Sequence, residues 1–128
     1  MLIHNAFGLL IENINESVIG INKEGRLIII NKAAEKSLGL NIKEDIGKNV
    51  KQAIPETQLL RILRTGQSEY NQNFNSKSRE FITNRIPLTS EGVTLGAIAI
   101  FQDVTACNKL KNQMETEKSY INILNTVI

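Results

Sequence analysis

The chain holds one histidine and one cysteine, His4 and Cys107, and they stand at opposite ends of its 128 residues. A triad or a thiolate–imidazolium pair needs its members within hydrogen-bond reach. Both residues fall in segments with helical patterning, so no catalytic residue is expected. The acidic pairs Glu44-Asp45 and Glu115/Glu117 read as solvated helix faces rather than metal ligands, and no metal site is expected. A lone cysteine also excludes an internal disulfide. At a heptad position Cys107 packs against a neighbouring helix, and oxidation could join it to its counterpart in a parallel pair.

Two further places carry polar groups where chemistry could be done. In the run Phe81 to Leu88, strand alternation puts Asn84 on one face with Ile82, Ile86 and Leu88, so an amide interrupts a core stripe. A buried amide must be hydrogen-bonded, here either to a neighbouring element or to a ligand. Arg85 is then expected on the opposite face, facing solvent, pairing with Asp103 or with an acid of a partner chain. With the faces exchanged by one residue, it would instead hold a ligand carboxylate. Tyr70, Phe74 and Thr83 are lesser candidates for the wall of such a pocket. The second place is Asp103-Val104-Thr105, where either outer side chain can cap a following helix by accepting from its unpaired amides.

These residues need elements to hold them. Thr94 to Phe101 is apolar on both faces at strand spacing, Leu95, Ala97, Ala99 and Phe101 against Ile98 and Ile100, which marks a central strand. Ser17–Asn22 and Arg26–Ile30 form a hairpin around the turn Lys23-Glu24-Gly25. Asn31 can cap a short helix, Lys32–Leu38, that Gly39 closes. Ile46, Val50 and Ile54 make one helical stripe stopped by Pro55, and Leu59 to Leu63 another before Gly66. Tyr70, Gln72 and Phe74 alternate in a strand that turns back through Asn75 to Arg79, and Ser90-Glu91-Gly92 turns the chain once more. The order is two strands, several short helices, then three strands, an α+β arrangement.

Helical stripes flank this unit. Ile3, Phe7, Leu10 and Ile14 form one within residues 1–15. Residues 106–128 would make a helix of roughly 34 Å, with Cys107, Met114, Ile121 and Ile128 at a and Leu110, Glu117 and Leu124 at d. Leu110, Met114, Ile121 and Leu124 are the expected dimer contacts. The chain is one domain's worth, 41% hydrophobic, with a formal charge of +2 and no basic stripe interleaved with aromatics. Direct nucleic-acid binding is not expected. The first apolar run, Phe7 to Ile11, is too short for a signal or a membrane span, so the expected location is the cytoplasm.

The wording ESVIGINKEGRLIIINKAAEKSLG, followed by GAIAIFQDVT and a charged helix, resembles the PAS family of bacterial sensory modules over nearly the whole chain. Within it the likeness is strongest to the modules of sigma-54-dependent transcriptional activators, with those of histidine kinases second. The resemblance implies a five-stranded antiparallel sheet with short helices on one face over residues 16–105, a pocket between the two layers, and a coiled-coil linker helix. It implies that Asp103 and Thr105 tie the last strand to that helix, and that the module is a homodimer coupled to an effector in the same chain. Haem-binding members use a histidine before the third strand, absent from residues 40–70 here. The cysteine motif of photosensing flavin members is missing too. A small-molecule ligand, or a purely structural dimerisation role without one, remains.

Overall fold

A computed structural model describes residues 15–127, with side chains to residue 118. The helical stripe expected over residues 2–15 therefore falls almost wholly outside the described residues, as do the side chains of Ile121 and Leu124.

The first hairpin forms as its alternation requires. Strand β1, Ser17–Asn22, pairs antiparallel with β2, Leu27–Ile30. Asn31 then does more than cap helix α1, Lys32–Leu38. Its Oδ1 accepts from Ala34 N and from Val18 N, both at 2.9 Å, and its Nδ2 donates to the Glu16 carbonyl, so one buried amide ties β1 to the helix. Gly39 closes α1 in the left-handed conformation, φ 67°, that a side chain would disfavour.

Next come α2, Ile42–Asp45, and α3, Val50–Ala53, where the sequence suggested one continuous stripe. Each single turn has its own asparagine cap, Asn41 and Asn49, and Gly47 at φ 90° separates them. The apolar spacing survives because Ile46 and Ile54 sit at the two C-caps, facing the same core. Helix α4, Leu59–Thr65, follows and ends at Gly66.

Strands β3, Glu69–Ser76, β4, Arg79–Ser90, and β5, Val93–Asp103, complete a five-stranded antiparallel sheet in the order β2-β1-β5-β4-β3. The expected central strand is thus central. Gly96 is required there, since a Cβ would come within 2.3 Å of the Ile21 carbonyl oxygen on β1. The short helices and one sheet face enclose the main core, in which Ile19, Ile21, Ala97, Ala99, Phe81 and Phe101 meet Ala34, Leu38, Leu59 and Ile62. The other face is apolar too, with Val18 and Ile29 buried against Ile28, Ile98 and Ile100. Helix α5, Thr105–Val127, leaves the end of β5. Among the described residues no helix is long and apolar enough to cross a membrane.

Candidate functional site

Two clusters of polar side chains are built onto β4. The first lies where β5 becomes α5. Asp103 Oδ1 accepts the Thr105 amide at 2.9 Å, capping the helix start, while Oδ2 accepts from Arg79 Nη1 at 2.8 Å. Thr105 Oγ1 accepts the Glu80 amide at 2.8 Å, and the Val104 amide donates to the Glu80 carbonyl at 2.9 Å. One turn further on, Asn108 Nδ2 donates to Glu80 Oε2 at 2.7 Å. The helix is therefore fastened to the first two residues of β4 by its own cap residues. Partial burial disfavours the charged form of Asp103, but the Thr105 amide and hydroxyl and the Arg79 guanidinium outweigh it and hold its carboxyl below the usual range.

Asp103 and Thr105 thus stand where the sequence put them. Arg79, Glu80 and Asn108 were not foreseen, because nothing in their local wording reveals that the start of β4 lies beside the end of β5. Arg85 does not pair with Asp103 as expected; Phe81 lies opposite Asp103 in the register, and Arg79 is the cation within reach.

The second cluster lies on the core side of β4, and there the expected faces are exchanged. Phe81, Thr83 and Arg85 point to the core, at 1%, 0% and 4% exposure, while Ile82, Asn84 and Ile86 belong to the opposite face. The cause is that both sheet faces are apolar, so alternation alone does not say which one the helices cover. Asn84 has the protein partner, one of its two expected alternatives: its Oδ1 accepts the backbone amide of Asn71 at 2.9 Å. Asn71 sits at φ 55° in a bulge of β3 that shifts the pairing between Glu69 and Gln72. That extra residue brings Glu69 opposite Arg85 and leaves Tyr70 57% exposed, so Tyr70 is not a pocket wall.

Arg85 Nη1 donates to Glu69 Oε1 at 2.9 Å, the one side-chain hydrogen bond of Arg85 among the described residues. Glu69 is also gripped by Arg61 of α4, whose Nε and Nη2 reach Oε2 and Oε1 at 2.8 and 2.7 Å. The Arg61 fork foremost, with Arg85 adding to it against partial burial, holds the Glu69 carboxyl below its usual range, and Glu69 in turn raises Arg61. Thr83 Oγ1 is the one buried side-chain polar atom among the described residues that lacks a hydrogen-bond partner. Phe74, a candidate pocket wall, is a core residue, 7% exposed and packed with Phe81 and Phe101 at ring separations of 5.2 to 6.2 Å.

A separate open cleft of about 460 Å³ lies where α1 and α3 approach the β3–β4 turn, lined by Leu38, Ala53, Ile54 and Pro55 together with Glu56 and Lys77. On α5, Leu110 and Met114, the two described residues of the expected dimer stripe, are 59% and 61% exposed in a single chain, and Cys107 is exposed beside them. Among the described residues no group of His, Cys, Asp and Glu could hold a metal ion.

The arrangement has many parallels. The sequence model of the family described as PAS fold matches residues 6–104. A probable C4-dicarboxylate sensor kinase of Halalkalibacterium halodurans is 38% identical over 111 residues, covering 87% of this chain and 21% of that protein. The sensor protein CitS of the same organism is 31% identical over 90% of the chain and 22% of its own length. The sensor histidine kinase DcuS of Escherichia coli K12 is 27% identical over the same shares of each. The chain spans about a fifth of the length of these curated relatives. Among solved structures, the PAS domain of histidine kinase ThkA superposes with a TM-score of 0.60 at 22% identity, covering 69% of this chain and 99% of that one. A PAS domain from Colwellia psychrerythraea gives 0.60 at 15% identity over 78% and 95%. These two show the fold alone.

Proposed function

The chain belongs to the PAS family, a sensory domain of signalling proteins, and from that membership we propose that it is the PAS module of a sensor histidine kinase. The observation that carries this reading is the 38% identity to a sensor kinase across 87% of the chain. Two of the three named relatives are sensor kinases, the third is a sensor protein and none is a sigma-54-dependent activator, so they favour the second of the two parent proteins that the wording suggested. By the same likeness, the parent kinase answers C4-dicarboxylates or kindred organic acids.

In this reading the module has no enzyme activity of its own and uses neither haem nor a photosensing flavin. It works on the cytoplasmic side as a homodimer, joined through Leu110, Met114, Ile121 and Leu124 of α5. A change of packing between the sheet and the short helices shifts β4, and Arg79 and Glu80 pass the shift through Asp103 and Thr105 into the helix that leads to the kinase core. A ligand drives this only as far as it binds the two arrangements unequally. The exposed Leu110 and Met114 of α5 and the hydrogen bonds that join Asp103, Val104, Thr105 and Asn108 to the start of β4 support it.

The test is autophosphorylation of the parent kinase with and without its signal, in the wild type and in Asp103→Ala. Loss of the difference between the two conditions, with the protein still folded, is the expected result. Unaltered regulation in the variant would sink the junction mechanism. A parent chain whose effector is an ATPase rather than a kinase would sink the assignment.

A further inference from the structure

The cluster under β4 is out of balance in charge. It contains two guanidinium groups, Arg61 and Arg85, and one carboxylate, Glu69. Glu69 is committed to Arg61 through both of its oxygens and touches Arg85 through one, so the excess positive charge resides on Arg85, the most deeply buried of the three. A buried charge calls for a matching partner, and a guanidinium fork is shaped for a carboxylate. Two residues along the same strand face stands Thr83, whose buried hydroxyl has no partner. Register sets Ala99 opposite Arg85, with Ala97 next on that face of β5, and Phe101 opposite Thr83. The floor beside these polar groups is therefore hydrocarbon.

We infer that Arg85 and Thr83 form the ligand-recognition point of this domain, and that the ligand is a small monocarboxylic acid with an apolar tail. Its carboxylate takes the Arg85 guanidinium and accepts from the Thr83 hydroxyl, and its tail enters the core beside Ala97 and Ala99 by displacing the helix side chains that bury them in the free protein. Glu69 leaves Arg85 but keeps both bonds to Arg61, so the exchange strands no charge. One excess cation suits one carboxylate; a dicarboxylate would bury a second anion without a partner. Because Glu69 links Arg61 of α4 to Arg85 of β4, the same exchange unfastens α4 from the strand that holds the output junction. The inference rests on the reading above that this domain senses a ligand, not on the signal proposed for the whole parent kinase, and gives the domain a site and a chemical class of its own.

The test is titration of the 128-residue chain with sodium butyrate, and separately with sodium succinate and sodium phosphate at matched ionic strength, followed by nitrogen–proton correlation spectra that include the arginine Nε–H. Butyrate should give saturable shifts at Arg85 Nε–H and at the Thr83 amide. Glu69→Gln should tighten binding about tenfold by weakening the internal competitor, Thr83→Val should weaken it about tenfold, and Arg85→Gln should abolish it. Thr83→Val keeps the core volume and so reports even if an Arg85 variant fails to fold. Tighter binding of succinate or phosphate overturns the proposal, as does butyrate affinity unchanged in Thr83→Val, or no saturable shift in both the wild type and Glu69→Gln. If butyrate is silent while a metabolite mixture moves Ala53 and Ser76 at the cleft, the site is wrong and sensing stands. Silence to the whole mixture overturns both.

Discussion

The junction at the end of β5 and the cluster beneath β4 are both ion-paired networks on one strand, yet they are built to opposite specifications. At the junction, Arg79 and Asp103 keep 51% and 29% of their side-chain surface and are matched one to one, the Glu80 carboxylate is exposed and held by the neutral Asn108, and the cap atoms of Asp103 and Thr105 are all engaged. In the cluster Arg85 keeps 4%, cations outnumber anions, and a hydroxyl has no partner. An exposed, balanced network costs little to break, so its worth lies in the position it gives a helix. A buried, unbalanced one is expensive to disturb and poised to accept something.

Four measurements would break or sharpen this contrast. The largest effect is expected from Glu69→Ala, which strands Arg85 in the core and should cost about 3 kcal/mol in urea unfolding. A loss no larger than that of an exposed pair would show that water reaches Arg85 freely and would erase the distinction. Acid titration comes next. Folded-state carboxyls at Glu69 and Asp103 lie below their unfolded values, near 4.5 and 3.8, so their stabilisation is complete above those values and is lost as pH falls through the lower folded ones. Glu69→Gln should flatten the acid limb of stability against pH more than Asp103→Asn does; the reverse order would invert the comparison. Thr83→Val, by removing a desolvated and unpaired hydroxyl, should raise stability by about 1 kcal/mol, seen as a higher melting temperature without ligand. A lower melting temperature would mean that the hydroxyl is satisfied in solution. The smallest change in stability is expected from Asp103→Asn, under about 1 kcal/mol. Its helix content by circular dichroism should match the wild type while regulation of the proposed parent kinase is lost, and a change of several kcal/mol would make the junction part of the core instead.

Much of this was legible in the residues. Asn31 and Gly39 marked both ends of α1, the doubly apolar run from Thr94 identified β5 as the central strand, and Asp103 and Thr105 announced the start of α5. Each of these is a local signal, a cap, a positive φ or a period. What could not be read was parity. Ile82, Asn84 and Ile86 look like the core face of β4 because the far side of the sheet is also apolar, at Val18, Ile28, Ile29, Ile98 and Ile100. A second parity change comes from the bulge at Asn71, which turns Glu69 inward and Tyr70 outward. Arg85 thus changes from an expected surface arginine to a core-facing one through the face of β4, and the bulge in β3 then supplies Glu69 as its partner. The wording EYNQN carries no glycine to give the bulge away, although an asparagine tolerates the left-handed conformation better than most residues. Arg79, Glu80 and Asn108 were hidden for a different reason. Their role follows from which strands are neighbours, a long-range fact.

The bulge in β3 has a consequence for how these molecules meet one another. An antiparallel sheet ends in two strands whose outer amides and carbonyls can template another chain. At β2 that edge is already occupied, because Leu27 N donates to the Lys48 carbonyl and Gly47 N donates to that of Leu27. At β3 the left-handed Asn71 kinks an edge of exposed polar residues, Asn71, Gln72, Asn73 and Asn75 among them, so that a second copy finds no straight ladder to extend. With the β2 edge engaged at Leu27 and the β3 edge kinked at Asn71, edge-to-edge addition of a second sheet is opposed at both borders.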